Sequence, residues 1–299
     1  MKSIFDLLSE KKENEPKRRL GLVGGESVYA LQACKVSMDR GLIEPVFIGD
    51  QAKIKGLIKA IGFSSDCEII DADSPEATAT KAVTLAKEKK IDILMKGQIE
   101  TSLLLRALLN KKTGLPPKGL ISAVSLFEYK GRPLLLTDAA VNISPDLEMK
   151  VEIIKNVLSV GRGLGIKTPK VAALSPMEKV NPRVIETVHA KELSDMSERG
   201  VFGDAIVHGP MALDLALSAK SVKQKNYEGP MAGDADVLFA PDLSSANILH
   251  KAFALLTDCP HAAVVAGCHI PLIINSRSEN EFTKFNSIAM ASYLAGRKS

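Results

Sequence analysis

The sequence predicts an α/β protein of two α/β/α lobes, and two observations predict this fold class. Short apolar runs alternate with longer helical patterns along most of the 299 residues, an order that is typical of βα units and a largely parallel sheet. The alternation is interrupted once, where two strand-like runs flank Lys130-Gly131-Arg132, a segment typical of a hairpin turn. The length fits one large domain or two medium ones, and the interruption favours two.

The first series of elements follows a short N-terminal helix, expected over Ser3–Leu8, and a charged linker over Glu10–Arg19. Each apolar run in this series precedes a helical pattern, as in a βα unit. The predicted strands are residues 20–23, 45–48, 68–70 and 91–95, and the helices that follow them end near residues 40, 61, 90 and 109.

The pattern changes in the middle of the chain, where two strand-like runs, residues 120–129 and 133–137, flank the hairpin turn. The change of pattern near residues 136–138 divides the prediction into a first lobe, residues 1–136, and a second lobe, residues 137–276. The later elements are a helix from Pro145 to about Leu164, strands at residues 171–174, 205–207, 237–240, 263–265 and 271–274, and a terminal helix over about 281–295.

The overall charge favours an anionic small-molecule ligand. The formal net charge is +4 and the isoelectric point is about 8.7, which is too weakly basic to indicate a nucleic-acid-binding protein. Aromatic residues make up 4% of the chain and tryptophan is absent, so the usual platforms for stacking bases are few. We therefore expect no nucleic-acid partner.

Neither a membrane segment nor a signal peptide is expected. No stretch reaches the roughly 20 apolar residues that span a bilayer, and the N-terminal residues lack the long apolar core of a signal peptide. The cysteines form no CxxC pair, which is typical of reduced thiols rather than of a zinc ribbon. We therefore expect a cytoplasmic protein with no membrane partner. The scattered cysteines are Cys34, Cys67, Cys259 and Cys268.

The segment Ser276-Arg277-Ser278 is the most specific candidate for an anion site. It lies between a predicted strand and a predicted helix N-terminus, where free N–H groups and the helix dipole favour anions. The arginine fork matches the geometry of phosphate oxygens. The alternative is structural, with a serine capping the helix and Arg277 paired with a carboxylate.

Polar residues follow other predicted strands, at the edge where parallel sheets bind ligands. Lys96 offers a positive charge and Gly97 would let a ligand approach the backbone, although a surface lysine before a turn glycine is the alternative. Thr137-Asp138 could hold a hydroxyl or a phosphate-bound proton, whereas an aspartate that caps or turns is more common. Further polar residues at this edge are Asn142, Asp242 and Asn247.

Several glycine and histidine patterns are weaker signals. The run Gly161-Arg162-Gly163-Leu164-Gly165 resembles a dinucleotide-binding loop, but it ends a helical pattern, as glycine commonly does. Gly24-Gly25 follows a strand but lacks the remaining residues of a phosphate-binding P-loop. The histidines show no HExxH motif and no close pairing. The sequence therefore predicts no metal site.

Five stretches of the sequence are specific when they are taken together. They are Met95-Lys96-Gly97 with Thr101, and residues 136–142, 209–214, 232–248 and 271–278. These stretches resemble the motifs of the phosphate acetyl/butyryltransferase family, occur in the family's order and span nearly the whole chain after the charged linker. The Gly-Pro-x-Ala-Leu-Asp arrangement at 209–214 and the residues Asn286–Ala291 are closer to the butyryl branch than to the acetyl branch.

The resemblance implies a fold similar to that of isocitrate and isopropylmalate dehydrogenases. This fold has two α/β lobes with the active site in the cleft between them, and the terminal helix, about residues 277–299, returns to the first lobe. A homodimer is also implied. The implied reaction moves a short-chain acyl group, butyryl or a similar one, between acyl-CoA or CoA and phosphate or acyl phosphate. Coenzyme A is then a co-substrate, with no permanently bound cofactor and no metal.

The resemblance also implies roles for individual residues. Ser276 and Arg277 are expected to be catalytic and to contact the oxygens of phosphate or acyl phosphate. Acetyltransferase relatives carry an aspartate six residues after this arginine, proposed as a base toward the CoA thiol, whereas Thr283 stands here and cannot take that proton. The residues expected to bind phosphate or coenzyme A are Lys96, Gly97, Thr137, Asp138, Asn142, Asp242, Asn247 and Ser278.

Two alternative functions are left open by the sequence. The first is a sensor that binds coenzyme A or acyl phosphate without turnover, and Thr283 favours it because the base is then unassigned. The second is a dehydrogenase of the same fold that uses a nicotinamide cofactor. It is disfavoured because the sequence lacks the clustered metal-binding aspartates and substrate arginines that such an enzyme would need.

Overall fold

A computed structural model describes residues 2–10, 16–63, 67–117, 119–276 and 279–296. The elements before residue 119 are α1 (Ile4–Leu8), β1 (Arg18–Val23), α2 (Val28–Asp39), β2 (Ile43–Gly49), α3 (Gln51–Ala60), β3 (Glu68–Asp71), α4 (Pro75–Lys87), β4 (Ile93–Lys96) and α5 (Thr101–Leu108). The middle part contains β5 (Ser122–Tyr129), β6 (Arg132–Thr137), α6 (Leu147–Gly163), β7 (Lys170–Leu174), α7 (Ile185–Glu198), β8 (Ile206–Met211), α8 (Leu213–Leu217), α9 (Ala219–Gln224), β9 (Val237–Phe239) and α10 (Leu243–Leu256). The last elements are β10 (His261–Ala266), β11 (Leu272–Ile273) and α11 (Glu281–Ala295).

Within these described ranges, no helix combines the length and the apolar character that crossing a membrane requires.

The chain divides into two compact units, and the division differs from the expected one. The first unit is residues 1–118 together with 261–298, and the second is residues 119–260. The expected boundary at residues 136–137 therefore lies inside the second unit, and the return to the first unit begins at β10 rather than at the terminal helix. The physical reason is nonlocal pairing, because β6 pairs with its hairpin partner β5 and also with the distant β9, and no local pattern reveals the pairing with β9.

The first unit has the parallel sheet that its alternating pattern predicts. Its strands follow the order β3-β2-β1-β4-β11-β10. Neighbours pair in parallel except β10, which runs antiparallel to β11. The carboxyl ends of β1, β4 and β11 therefore lie at one edge of the sheet. The sheet's fully buried side chains include Leu20, Leu22, Phe47, Ile93 and Leu94.

The terminal helix α11 belongs to the first unit. It packs against α2 and β10 and buries apolar side chains that include Phe285 and Ile288. The guanidinium carbon of Arg40, at the end of α2, lies 4.7 Å from the centre of the Phe285 ring. Asn280 begins α11 by accepting a hydrogen bond from the backbone N–H of Thr283 at 3.0 Å. The residues that follow the carboxyl end of β11 therefore lead into the start of α11.

The second unit combines a hairpin with a parallel sheet, in the order β5-β6-β9-β7-β8. Strands β5 and β6 pair antiparallel, and the other neighbours pair in parallel. The hairpin turn has positive φ at both central residues, 52° at Lys130 and 72° at Gly131. Such turns match the twist of the flanking strands, so the structure contains the hairpin expected at this position.

Candidate functional site

The carboxyl edge of the first unit brings three of the predicted segments together. Strands β1, β4 and β11 are parallel neighbours, so the residues that follow them emerge at the same edge. Gly24 follows β1, Lys96 ends β4, and Asn275-Ser276 come after β11. Arg277 and Ser278 lie outside the described residues, so the roles expected for them stay predictions.

Gly97 allows two loops to approach closely at this edge. Its N–H donates to the carbonyl oxygen of Val23 at 2.8 Å, and the N–H of Gln98 donates to that of Gly24 at 2.6 Å. A Cβ on Gly97 would lie 2.1 Å from the Gly24 carbonyl oxygen, a distance that forces the backbone to move. The structure therefore gives Gly97 a packing role, and its expected contact with a substrate stays a prediction.

Gly97→Ala is expected to lower the free energy of unfolding by about 2–3 kcal/mol, because the new methyl group overpacks two backbones. Urea unfolding followed by circular dichroism measures this change. Gly56→Ala in α3 is the matched control, since a Cβ there meets no neighbouring heavy atom of the described chain within 4 Å. The control is expected to be neutral or stabilised by up to about 1 kcal/mol. Equal stability of the two variants would contradict the packing role.

Two buried lysines lie near each other at the same edge. Lys96 is 6% exposed and Lys284, on α11, is 3% exposed, and the Lys96 Nζ lies 3.5 Å from the Gly97 carbonyl oxygen. Burial lowers the pKa of the Lys284 ammonium below its ordinary 10.5, the carboxylate of Glu279 opposes that shift, and the like charge of Lys96 adds to it. Burial and the like charge of Lys96 thus act in the same direction on the Lys284 ammonium, and an anionic ligand would oppose both.

Asn275 connects the segment after β11 to α11. Its Nδ2 donates to Glu279 Oε2 at 2.7 Å and to Ser287 Oγ at 3.1 Å. The Oδ1 of Asn275 is buried without a hydrogen-bond partner among the described residues. The next residue, Ser276, is exposed, and its carbonyl oxygen accepts from Lys284 Nζ at 2.8 Å. Ser276 is therefore accessible to a ligand, while its carbonyl oxygen is bound by the buried ammonium of Lys284.

Lys284 and Glu279 are members of this cluster that sequence reasoning did not assign. Lys284 could have been recognised from its place on the buried face of α11, beside Phe285 and three residues before Ser287. A charged side chain on an apolar face needs polar partners. Because Lys284 lies beside Thr283 in the first turn of α11, those partners are expected in the segment that precedes the helix. Thr283 itself is buried, and a carboxylate is supplied to this cluster by Glu279, which accepts from Asn275.

At the carboxyl end of β6, Thr137, Asp138 and Asn142 are all buried. The Thr137 hydroxyl donates to the Ala123 carbonyl oxygen at 2.8 Å. The donors to the Asp138 carboxylate lie 2.6–3.1 Å away and are the backbone N–H groups of Ala123, Ala140, Val141 and Asn142 and the side-chain amide of Asn142. These polar groups hold the loop after β6, and their expected contacts with substrate stay predictions.

Asp242 and Asn247 connect α10 to this loop. Asp242 caps α10, since its Oδ1 accepts from the backbone N–H of Ser245 at 2.8 Å and from the Ser245 hydroxyl at 3.0 Å. Asn247 donates from Nδ2 to the carbonyl oxygen of Ala139 at 3.0 Å. Both side chains belong to partly exposed residues. They are thus more accessible to a ligand than Thr137 or Asp138.

A buried lysine in the second unit, Lys150, was not expected from the sequence. Its Nζ lies 3.0 Å from Nδ1 of His189, and because an ammonium only donates, Nδ1 is the acceptor of this pair. Burial lowers the pKa of Lys150, and the carboxylates of Glu186, Asp242 and Asp146 oppose that shift. Burial, together with the charge of Lys150, also lowers the pKa of His189. The pair places a further positive charge beside Asp242.

Comparison with known families decides the relationship of the chain. The family described as "Phosphate acetyl/butaryl transferase" matches residues 72–292. The chain belongs to this phosphate acetyl/butyryl transferase family. The matched residues begin just before α4 and end within α11, so they contain the carboxyl ends of β4, β6 and β11, and the family expected from the five stretches is confirmed.

Relatives in the phosphate acetyl/butyryl transferase family resemble this chain over its whole length. A phosphate butyryltransferase from Clostridium acetobutylicum is 34% identical over 301 residues, which cover 100% of each chain. The solved structure of a branched-chain phosphotransacylase from Enterococcus faecalis V583 has a TM-score of 0.82 and 30% identity, and the likeness covers 93% of this chain and 99% of that one. The resemblance therefore extends from sequence to three-dimensional structure.

The expected fold class is also confirmed. The structure of a 4-hydroxythreonine-4-phosphate dehydrogenase from Klebsiella pneumoniae has a TM-score of 0.55 at 12% identity, and covers 94% of this chain and 100% of that one. A likeness at such low identity concerns the fold alone. It agrees with the dehydrogenase-like α/β architecture that the resemblance to the phosphate acetyl/butyryl transferase family implies.

Proposed function

We propose that the protein exchanges a short-chain acyl group between coenzyme A and phosphate, so that acyl-CoA and phosphate become acyl phosphate and CoA. Family membership supports this reaction, as do the names of two relatives, a phosphate butyryltransferase and a branched-chain phosphotransacylase. The observation that carries the proposal is the buried Lys284, whose Nζ donates to the carbonyl oxygen of the exposed Ser276, together with the buried Lys96 at the end of β4. Buried positive charge at the carboxyl edge of a parallel sheet fits phosphate or acyl phosphate.

The proposed chemistry is direct transfer. A phosphate oxygen attacks the carbonyl carbon of the thioester, a C–O bond forms, the C–S bond breaks, and CoA leaves as the thiolate with the electron pair. Two anionic substrates must be held close together, which requires cations and preorganised donors. We assign the contacts with phosphate oxygens to Ser276 and Arg277, with Lys96 and Ser278 in the same pocket. Coenzyme A is a co-substrate in this scheme, with no permanently bound cofactor and no metal.

The residues of the second unit are proposed to act in two ways. Thr137, Asp138 and Asn142 shape the loop after β6, because their polar groups bond within that loop and to the carbonyl oxygens of Ile121 and Ala123 near the start of β5. Asp242 and Asn247 are partly exposed, and we assign to them the contacts with coenzyme A or phosphate from this unit.

In the reverse direction the CoA thiol must lose its proton. The ordinary pKa of such a thiol is about 8.5, and nearby cations lower it by favouring the thiolate. The ammonium groups of Lys96 and Lys284 supply this effect together with Arg277, which lessens the need for a strong base. Since Thr283 cannot take the proton, we propose that deprotonation of the CoA thiol depends mainly on the electrostatic stabilisation of the thiolate in this chain.

A thiol-release assay tests the proposed function. Purified protein is mixed with butyryl-CoA, with and without phosphate, and free CoA is measured with a thiol reagent. Phosphate-dependent release supports the transferase, whereas binding of butyryl-CoA without release identifies the sensor and reduction of a nicotinamide cofactor identifies the dehydrogenase. A series from acetyl-CoA to longer acyl-CoA substrates then defines the acyl group, because one methylene changes the activation free energy by about 1–3 kcal/mol and therefore kcat/KM by about 10–200-fold.

We further propose that the protein is a homodimer in which α10 contacts the second copy. Along this helix Ala246 and Phe253 are buried, while Ile248, Leu255 and Leu256 are 70%, 77% and 82% exposed. Exposed apolar side chains concentrated on one helix are typical of a protein–protein interface. A second copy is the occupant we assign, as expected for this family.

Leu256→Lys is expected to shift the dimer toward monomer, because a lysine at the contact would have to be desolvated. Sedimentation velocity over a range of protein concentrations measures the shift. Leu7→Lys is the matched control, since Leu7 is an exposed leucine on α1 and its replacement is expected to leave the dimer intact. A monomeric wild-type protein would contradict the homodimer, and a dimer that survives Leu256→Lys would contradict the assigned surface.

A cytoplasmic location is proposed from the cysteines. Cys34, Cys67, Cys259 and Cys268 form no disulfide with one another, as expected of cysteines in a reducing compartment. Fractionation of cells that produce the protein, followed by detection in the cytoplasmic and membrane fractions, tests this location.

A further inference from the structure

Lys284 holds both ends of the segment that contains Arg277 and Ser278. Its ammonium donates to the carbonyl oxygen of Ser276 and to that of Glu279, each at 2.8 Å. Hydrogen bonds from a charged donor are stronger than those from a neutral one. A single buried side chain therefore fixes the residue before and the residue after the two predicted phosphate contacts.

The same ammonium group adds positive charge where phosphate is expected. Lys284 is buried on α11, and the nearby Lys96 repels it while Glu279 attracts it. Burying an ammonium near a like charge costs free energy unless an opposite charge compensates it, and an anion bound at Ser276 would add such compensation. Phosphate would relieve the repulsion between the two ammonium groups and make the cluster more favourable than it is alone.

We propose that Lys284 is a positioning residue for phosphate. It fixes the ends of the segment from Ser276 to Glu279 and, with Lys96, supplies charge that the incoming phosphate neutralises. This inference rests on the proposed transfer of an acyl group to phosphate. Because Lys284 acts through the segment that it holds, its loss should impair the use of phosphate more than the binding of acyl-CoA.

Steady-state kinetics of Lys284→Met test this inference, with phosphate varied at saturating butyryl-CoA and then the reverse. The KM for phosphate is expected to rise about tenfold or more, as the loss of charged hydrogen bonds implies. The KM for butyryl-CoA is expected to stay within about twofold. Lys284→Gln keeps a donor without the charge and should show a smaller rise, and Lys284→Arg keeps charge and donors and should restore most of the affinity for phosphate.

The matched control is Lys35→Met, which removes one positive charge from the same unit. Lys35 pairs with Asp39 at 3.0 Å on the surface of α2, so both KM values are expected to be unchanged. Circular dichroism and urea unfolding establish that each variant is folded. A folded Lys284→Met protein with a normal KM for phosphate, or with equal rises in both KM values, would overturn the inference. If Lys284→Met does not fold, equal phosphate KM values for Lys284→Gln and Lys284→Arg would overturn it.

Failure of the proposed function is distinguishable from failure of this inference. If the wild-type protein releases no CoA in the presence of phosphate, the proposed transfer is wrong. Phosphate binding is then measured without turnover, as the rise in melting temperature that inorganic phosphate produces. A rise in the wild-type protein that is lost in Lys284→Met supports the role of Lys284, and a rise of equal size in both proteins overturns it.

Discussion

Arg277→Ala is expected to slow phosphate-dependent release of CoA by about a hundredfold or more, the usual effect of removing one preorganised donor from a charged transition state. In the proposed reaction negative charge moves from the phosphate oxygens to the thioester oxygen and the departing sulfur. A guanidinium group can donate two parallel hydrogen bonds to such oxygens at the same time. Measurement of kcat/KM for butyryl-CoA at fixed phosphate gives the effect. Arg277→Lys keeps the charge without the fork, so an intermediate loss is expected.

Arg199→Ala is the matched control for this prediction. Arg199 is exposed at the C-terminal end of α7. Because α7 connects the parallel strands β7 and β8, its C-terminal end lies at the edge of the sheet opposite to their carboxyl ends. The control is therefore expected to keep its full activity. Near-normal turnover in a folded Arg277→Ala protein would remove Arg277 from the proposed site.

Asp138→Asn is expected to lower the free energy of unfolding by about 3–5 kcal/mol, although the two side chains have nearly the same shape. The carboxylate of Asp138 is buried and receives hydrogen bonds from the backbone N–H groups of Ala123, Ala140, Val141 and Asn142 and from the Asn142 amide. Asparagine replaces one acceptor oxygen by a donor, which then faces other donors. Urea unfolding measures the loss.

Asp204→Asn is the control for Asp138. Asp204 lies in the same unit and pairs with Arg162 at 2.6 Å, but its side chain is 62% exposed. Exposed pairs contribute about 0–1 kcal/mol, so the control is expected to change stability by no more than that. If Asp138→Asn were as stable as Asp204→Asn, the loop after β6 would not depend on the carboxylate, and a direct role of Asp138 toward substrate would gain support.

The regular elements were largely predictable from the sequence because their signals are local. A strand expected at residues 91–95 is found as Ile93–Lys96, and a terminal helix expected over about 281–295 is found as Glu281–Ala295. The turn at Lys130-Gly131 was predictable for the same reason, since glycine tolerates positive φ. Periodicity and turn chemistry depend on residues a few positions apart, and such separations are visible in the chain itself.

The candidate site was predictable in part. The polar residues that follow β4 and β11 were recognised from their place after apolar runs, and the parallel pairing of these strands brings Lys96 and Ser276 to one edge. The roles of Gly97 and Asp138 depend on partners that the pattern does not contain. Gly97 packs on the backbone of Gly24, and Asp138 accepts from Ala123, fifteen positions away.

By itself, the sequence determined the α/β class, most of the elements, the family and the group of polar residues from which a phosphate site could be built. Only the tertiary structure decided that the β5–β6 hairpin joins the second unit and that Lys284 reaches from α11 to the carbonyl oxygens of Ser276 and Glu279. The physical reason is the same in both cases. A residue's type and spacing indicate which interactions it can make, but folding brings together the partners that satisfy a strand edge or a buried charge.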